Sequence, residues 1–216
     1  MVVKDVRNLC FDLLKEKLTP LGYKGNKTNF EFIKLNNLGF DKVYFGTVAY
    51  PGLGRCDVDF FISVRIEKIQ MLVNRAFKFT NENREYINPT CNINIGTFVG
   101  NPKLDFETFS PEDVKNAVET FWQIFQDFGI EHIKKCYDIN FLNSIYPTYK
   151  RDSWDWFTAS NWYFAILTVA YLADKKTFPA FRKEFTDYLV NDLNMPENKL
   201  NEMNEYLDNI SNVSNS

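Results

Sequence analysis

A chain of 216 residues, of which 45% are hydrophobic and 25% charged, is long enough to bury a large core and has the composition of an ordinary globular protein. The net charge of −3 hides an asymmetry: residues 1–80 carry 13 basic and 8 acidic side chains, whereas residues 81–216 carry 12 and 20. The acidic second part argues against nucleic-acid binding, which needs clustered cations. The sequence shows neither an apolar leader nor an 18-residue apolar run, so we expect a cytoplasmic protein that does not enter a membrane.

The first part of the chain predicts one helix followed by antiparallel strands. Apolar residues at helical spacing run from Val6 to Leu18, and Pro20 ends the helix. Alternating and helical periods then predict strands over 30–35, 42–50 and 57–66, a helix over 69–77 and a fourth strand near 91–95. Alternation in the strand 57–66 predicts one covered face and one wetter face.

From Ser110 onward the pattern is helical. Ser110 and Pro111, followed by two acidic residues, form a strong helix start. The apolar stripe of this helix runs from Val114 to Phe128, and Gly129 bends or breaks the helix. Further helices are predicted over 138–145, 160–173 and 178–191, with a last one that opens at Pro196.

Strands followed by helices indicate an α+β fold. We expect an N-terminal helix, an antiparallel sheet of about four strands, and a helical C-terminal half packed on one face of the sheet. The composition changes near residue 108. Residues 1–108 and 109–216 are therefore either two regions or parts of one continuous domain.

The four cysteines and the single histidine form no motif in the sequence. Neighbouring cysteines among Cys10, Cys56, Cys91 and Cys136 lie 35 to 46 residues apart, which matches no metal-site spacing. Buried thiols are the expected state, and His132 is expected to be a partly buried residue near a helix end. The cysteines and the histidine therefore indicate no cofactor and no catalytic residue.

Asp57 and Asp59 are the sharpest catalytic candidates. Their spacing on a strand points both carboxylates to one side, as in many Mg²⁺ sites. Residues 43–47 and 55–60 resemble the signature of polymerase-beta-type nucleotidyltransferases, which implies that Gly46 and Thr47 contact phosphate while the two aspartates ligate Mg²⁺. The simpler alternative is a pair of solvated carboxylates on the open face of a strand.

Residues 146–162 contain three of the four tryptophans, beside two cations. Trp, Tyr and Arg dominate interface hot spots because they bury a large area at modest entropy cost. Tyr149, Arg151, Trp154 and Trp156 are therefore candidate residues for binding a ligand or partner. The alternative is that the tryptophans wedge between helices as part of the core.

The run from Leu18 to Phe32, in which a Leu-Gly-Tyr-Lys turn leads from a helix into a strand, resembles the opening of a group of uncharacterised small bacterial proteins. The resemblance covers residues 4–80 and implies an interaction role, as in toxin-neutralising or accessory proteins. The balance favours a non-catalytic cytosolic module that binds another protein or a ligand. The alternative is a divergent Mg²⁺-dependent nucleotidyltransferase-like enzyme that uses Asp57 and Asp59.

Overall fold

An antiparallel sheet forms the centre of the structure, a computed structural model that describes residues 3–76, 89–145 and 162–213. Its strands are β1 (Lys24–Asn26), β2 (Glu31–Asn36), β3 (Gly39–Tyr50), β4 (Arg55–Ile66), β5 (Cys91–Asn94) and β6 (Phe106–Thr108). They pair in the order β1–β2–β3–β4–β5, and β6 lies beside the first residues of β4. Six strands therefore stand where about four were predicted, because β1 and β6 have three residues each, too few to display an alternating pattern.

Helices occupy most of the remaining described residues. They are α1 (Val3–Leu18), α2 (Glu67–Ala76), α3 (Pro111–Ile124), α4 (Ile130–Cys136), α5 (Ile139–Ile145), α6 (Trp162–Ala173), α7 (Phe178–Asn191) and α8 (Glu197–Val213). The predicted α+β class, with its N-terminal helix and helical C-terminal half, is confirmed. Within the described ranges, none of these helices combines the length and the apolar character needed to cross a membrane.

One face of the sheet packs against α1 and α3. The alternating residues Val58, Phe60, Ile62 and Val64 of β4 are all buried on this face. The ring of Phe60 stacks on Phe121 of α3 with centroids 4.7 Å apart. The period-2 pattern of the strand and the 3.6-residue stripe of the helix thus meet in one apolar layer.

The start of α3 is built as its sequence predicts. The Ser110 hydroxyl accepts a hydrogen bond from the backbone N–H of Asp113, and the Asp113 carboxylate accepts one from the backbone N–H of Ser110. Two otherwise unpaired donors of the helix end are satisfied by this reciprocal arrangement. The cap fixes where α3 begins beside β6.

A π-helical turn, Phe125–Gly129, joins α3 to α4. The wider turn accommodates one extra residue, which rotates everything after it by about 100° about the helix axis. Gly129 consequently lies in the core, while the Phe128 side chain is 46% exposed. The predicted continuation of the apolar stripe to Phe128 is therefore wrong, because the stripe changes phase at this turn.

The second face of β4 is less open than its polar residues suggest. Asp57, Ser63 and Arg65 are buried, and Asp59 is intermediate. Ser63 donates a hydrogen bond to Asn92 of β5 at 2.6 Å, and Arg65 pairs with Glu67 at 2.9 Å. The expectation of a wetter face is wrong at Asp57, Ser63 and Arg65, because each of these buried polar groups has a polar or charged partner: Arg55, Asn92 and Glu67 respectively.

The C-terminal helices form a separate layer around α6. Every residue from 163 to 171 is buried, as is typical of a helix that has neighbours on all sides. Its Thr168 shares a hydrogen bond with the Tyr206 hydroxyl of α8, and α6 also contacts α2 and α5. The buried apolar residues of this layer belong to the same hydrophobic core cluster as those of the sheet.

Gly39, at the start of β3, occupies a position that excludes any side chain. Its φ is +151°, and an added Cβ would lie 1.9 Å from the carbonyl oxygen of Arg65. We expect Gly39→Ala to lower the free energy of unfolding by about 2 to 4 kcal/mol, because backbone strain and a backbone clash act together. Urea denaturation measures the change.

Gly52→Ala is the matched control, since no atom lies within 4 Å of a Cβ at that position. This control should change the free energy of unfolding by no more than about 0.5 kcal/mol. A similar loss in both variants would contradict the steric explanation.

Candidate functional site

Two thiols and the imidazole converge between the sheet and α4. The Sγ atom of Cys136 lies 3.1 Å from Nε2 of His132 and 4.0 Å from Sγ of Cys91. All three ligand atoms lie within 4.8 Å of one another, and the three residues are at most 7% exposed. Among the described residues, this is the one group of three or more metal-binding side chains in such proximity.

Local structure explains why these side chains meet. His132 and Cys136 are four residues apart on α4, so they project from one helix face a single turn apart. Cys91 pairs with Val64 and shares the core face of β5 with Ile93. The π-turn sets the rotation of α4, and with it the direction of both helical ligands toward β5.

The contacts within the cluster shift the pKa values of its two thiols in opposite directions. Hydrogen bonding from the Cys136 thiol, aided by His132, lowers the pKa of Cys91 despite its burial. The same interaction with Cys91, together with burial, raises the pKa of Cys136. Of the two thiols, Cys91 therefore loses its proton the more readily, and the thiolate is the form of cysteine that binds metal ions or reacts as a nucleophile.

The surroundings of the cluster are aromatic. Phe98 and Phe141 present ring edges or faces to His132, with centroids 5.2 Å and 5.8 Å from the imidazole centroid. Apolar walls exclude water and strengthen electrostatic interactions inside the cluster. The two sulfur atoms are about twice the length of a disulfide bond apart, and both cysteines are free thiols.

A buried carboxylate lies in the same row of the sheet as Cys91. Strand pairing aligns Lys34, Asp41, Val64 and Cys91 across four neighbouring strands on the face that meets α4. The Tyr137 hydroxyl, directly after α4, donates a hydrogen bond to Asp41 at 2.5 Å. Burial raises the pKa of Asp41, and the hydrogen bond from Tyr137 partly offsets this effect.

A cleft of about 920 Å³ opens beside Tyr137. Its walls come from the β2–β3 turn, the first turns of α2, the junction of α4 and α5, and the end of α6. Most of the lining side chains are apolar, and charged groups from three of these segments line the cleft as well: Glu67, Lys68, Asp138 and Lys175. The cleft has the size range of ligand sites, which is about 300 to 1,000 Å³.

Asp57, the first of the two aspartates singled out by the sequence, is paired with a cation of its own strand, and the Mg²⁺ site at Asp57 and Asp59 stays a prediction. Asp57 is 3% exposed, and both of its carboxylate oxygens face the guanidinium of Arg55 at 2.8 and 3.0 Å. Arg55 also pairs with Glu107 of β6. The expectation of a solvated Asp57 is therefore wrong, because this ion pair holds the carboxylate against the sheet.

Asp59 has a different environment from Asp57. Burial raises its pKa, and repulsion from Asp105 and Asp57 adds to the shift. A raised carboxylate pKa marks a site that holds negative charge poorly in the absence of a cation. The two aspartates share a side of β4, as predicted. Asp57 is paired with a cation, whereas the charges that act on Asp59 are those of other aspartates.

Of the two residues expected to contact phosphate, Gly46 lies beside an aspartate and Thr47 does not. Gly46 pairs with Asp59, whereas Thr47 pairs with Val58 and so points to the opposite face of the sheet. There the Thr47 hydroxyl accepts a hydrogen bond from Arg7 of α1 at 2.6 Å. The structure thus separates Thr47 from the groups that the nucleotidyltransferase signature would bring together.

The aromatic candidates Tyr149, Arg151, Trp154 and Trp156 lie outside the described residues. Their assignment as a binding surface stays a prediction.

The Cys91–His132–Cys136 cluster is the group that sequence reasoning missed. The four-residue spacing of His132 and Cys136 was a usable signal, because it places both on one helix face. Their third member lies 41 residues before His132 on a strand, and only the packing of α4 on the sheet brings it near. The sequence gives no means of choosing Cys91 over the other two cysteines.

Comparisons of the chain with protein-family models, with curated proteins and with solved structures find no match. The resemblance of residues 4–80 to small bacterial proteins therefore stays a prediction. What the described residues define is an α+β protein with a six-stranded antiparallel sheet, a buried thiol–imidazole cluster and an adjoining cleft.

Tyr137→Phe tests the buried carboxylate. Because the native pKa of Asp41 is raised, the native state binds more protons than the unfolded state above about pH 3.9, and stability falls as the pH rises through the native pKa. Loss of the tyrosine donor raises that pKa further. We expect a cost of about 1 to 3 kcal/mol near neutral pH and a smaller cost near pH 4, by urea denaturation.

Tyr44→Phe serves as the control for this change. The Tyr44 hydroxyl donates to the neutral amide of Asn92 at 3.0 Å, so its loss should cost the same at both pH values. An equal cost of Tyr137→Phe at the two pH values would contradict the role assigned to the Asp41 charge.

Proposed function

We propose that this protein is a non-catalytic binding module that holds an apolar segment of a partner protein in the cleft beside Tyr137. The cleft is the observation that carries the proposal. It is about 920 Å³ in volume and is built by four separate segments of the chain. A concave site of this size, mostly apolar with a few polar groups, is the usual form of a binding site.

The lining of the cleft favours a protein segment over a small molecule. Leu38 is 49% exposed and Met71 is 42% exposed, so apolar surface continues onto solvent-facing side chains. Leu35, on the same hairpin as Leu38, is 74% exposed. A small molecule buried in the cleft would leave these side chains in water, whereas a protein partner would cover them.

The charged groups of the cleft carry both signs. Glu67 and Asp138 are acidic, and Lys68 and Lys175 are basic. An apolar centre with polar and charged groups around it is the usual composition of a protein interface. Mixed charge also favours a partner of alternating polarity over a polyanion such as nucleic acid.

A narrower form of the proposal is a toxin-neutralising or accessory protein of the bacterial cytoplasm. Its support is the resemblance of residues 4–80 to small bacterial proteins and the four cysteines, which are free thiols in the structure. Free thiols are typical of reducing compartments.

Site-specific photo-crosslinking tests the proposal. A benzophenone amino acid placed at residue 38 or 71 in the native host should give one discrete protein adduct, which mass spectrometry identifies. With that partner purified, Leu38→Asp and Met71→Asp should weaken binding by more than about tenfold in calorimetry. Both side chains are exposed, so these substitutions leave the core intact.

Val190 of α7, which is 40% exposed and does not line the cleft, is the matched control position. Crosslinker at residue 190 should give no such adduct, and Val190→Asp should leave the affinity unchanged. Equal adducts at all three positions, none at any of them, or an adduct with the mass of a small metabolite would each rule the proposal out.

A further inference from the structure

We propose that Cys91, His132 and Cys136 form a zinc site in the core of the protein, independent of the cleft. Two thiols and one imidazole are the donors that zinc prefers in proteins. They are contributed by a strand and a helix rather than by one local motif, which explains why the spacing of the cysteines does not predict the site.

The distances between the donor atoms fit one zinc ion. Bonds of about 2.3 Å to sulfur and about 2.0 to 2.1 Å to nitrogen, in tetrahedral geometry, hold two sulfurs about 3.8 Å apart and a sulfur and a nitrogen about 3.6 Å apart. The two sulfur atoms are 4.0 Å apart, and Sγ of Cys136 is 3.1 Å from the imidazole nitrogen. Zinc binding therefore needs a change of about 0.2 Å between the sulfurs and about 0.5 Å between Sγ of Cys136 and the imidazole nitrogen. The third pair, Cys91 and His132, has its ligand atoms within 4.8 Å of each other.

Regular secondary structure holds the three donors in place. Cys91 belongs to a strand that is paired with β4, and His132 and Cys136 are on consecutive turns of α4. Gly129 fixes the approach of this helix, since an added Cβ would lie 2.8 Å from Cδ1 of Ile62 on β4. Sites built on helices and strands lose little flexibility on binding and are correspondingly well organised.

Charge balance favours Zn²⁺ over Cu⁺. Two thiolates and a neutral imidazole carry a charge of −2, which Zn²⁺ neutralises fully and Cu⁺ only by half. The walls include Phe98 and Phe141, and the three ligands are buried. An uncompensated charge in such surroundings is costly, so the neutral zinc complex is the stable one.

Three protein ligands give zinc one further coordination position. In sites with three protein ligands, that position takes water or another small exogenous ligand. Because the three residues are at most 7% exposed, such a ligand would be buried together with the metal.

Cobalt substitution tests the site directly. The full chain is purified under reducing conditions, stripped of metal with a chelator and titrated with Co²⁺. We expect one Co²⁺ per chain, the strong visible bands of tetrahedral cobalt and a thiolate-to-cobalt charge-transfer band whose intensity corresponds to two thiolates. Zn²⁺ should displace the cobalt. At a free Zn²⁺ concentration of about 100 times Kd, the melting temperature should be roughly 5 to 10 °C higher than that of the metal-free protein.

Cys136→Ala should weaken Zn²⁺ binding by more than about 100-fold in competition with a chromophoric chelator. Loss of a mere hydrogen-bond partner of a zinc ligand already costs about 10- to 100-fold. Cys10→Ala is the matched control, because Cys10 is also a buried free thiol but lies outside the cluster. This control should bind Zn²⁺ with unchanged affinity.

Three results would overturn the zinc assignment. One is the absence of cobalt bands in the wild-type protein, which decides the matter even if Cys136→Ala fails to fold. Another is a Cys91–Cys136 disulfide in protein extracted under reducing conditions, seen as the loss of two hydrogen masses. The third is tight Cu⁺ binding, measured against bicinchoninate, in a protein that does not bind Zn²⁺.

Discussion

The close contact between Gly129 and β4 is the constraint on which the rest of the structure depends. At this point the helix backbone approaches Ile62 so closely that an added Cβ would lie within 2.8 Å of its side chain. The π-turn that places Gly129 there also rotates α4 relative to α3. His132 and Cys136 therefore point into the core toward β5, while Phe128 turns outward.

The end of α4 links the buried cluster to the cleft. Cys136 belongs to the cluster, and the next residue, Tyr137, lines the cleft and donates its hydroxyl hydrogen to Asp41. Under the two proposals, zinc would anchor the last turn of α4 against β5, and the same turn positions one wall of the binding cleft. Metal binding and partner binding then share a structural element without sharing a residue.

Several polar residues of the sheet, which the sequence suggested would face solvent, are buried and paired with other polar side chains. Asp57 is held by Arg55, and Ser63 by Asn92, each pair spanning neighbouring positions of the sheet. A buried charge is tolerated when a partner compensates it. Asp57, one of the two aspartates that the sequence offered as metal ligands, is thus paired with Arg55 of the same strand, whereas the proposed zinc site uses two cysteines and a histidine.

The sequence by itself determined the order and type of most elements: the alternation of β4, the apolar stripe of α1 and the Ser110 cap of α3 are local patterns that fix local structure. It did not determine the two three-residue strands, the helix phase after Phe125 or the meeting of Cys91 with His132. Those features depend on which faces of the elements pack together. Contacts between residues far apart in the chain produce no periodic pattern in the sequence. Only tertiary packing, through the contact of the π-turn with β4, decided that Cys91, His132 and Cys136 lie together.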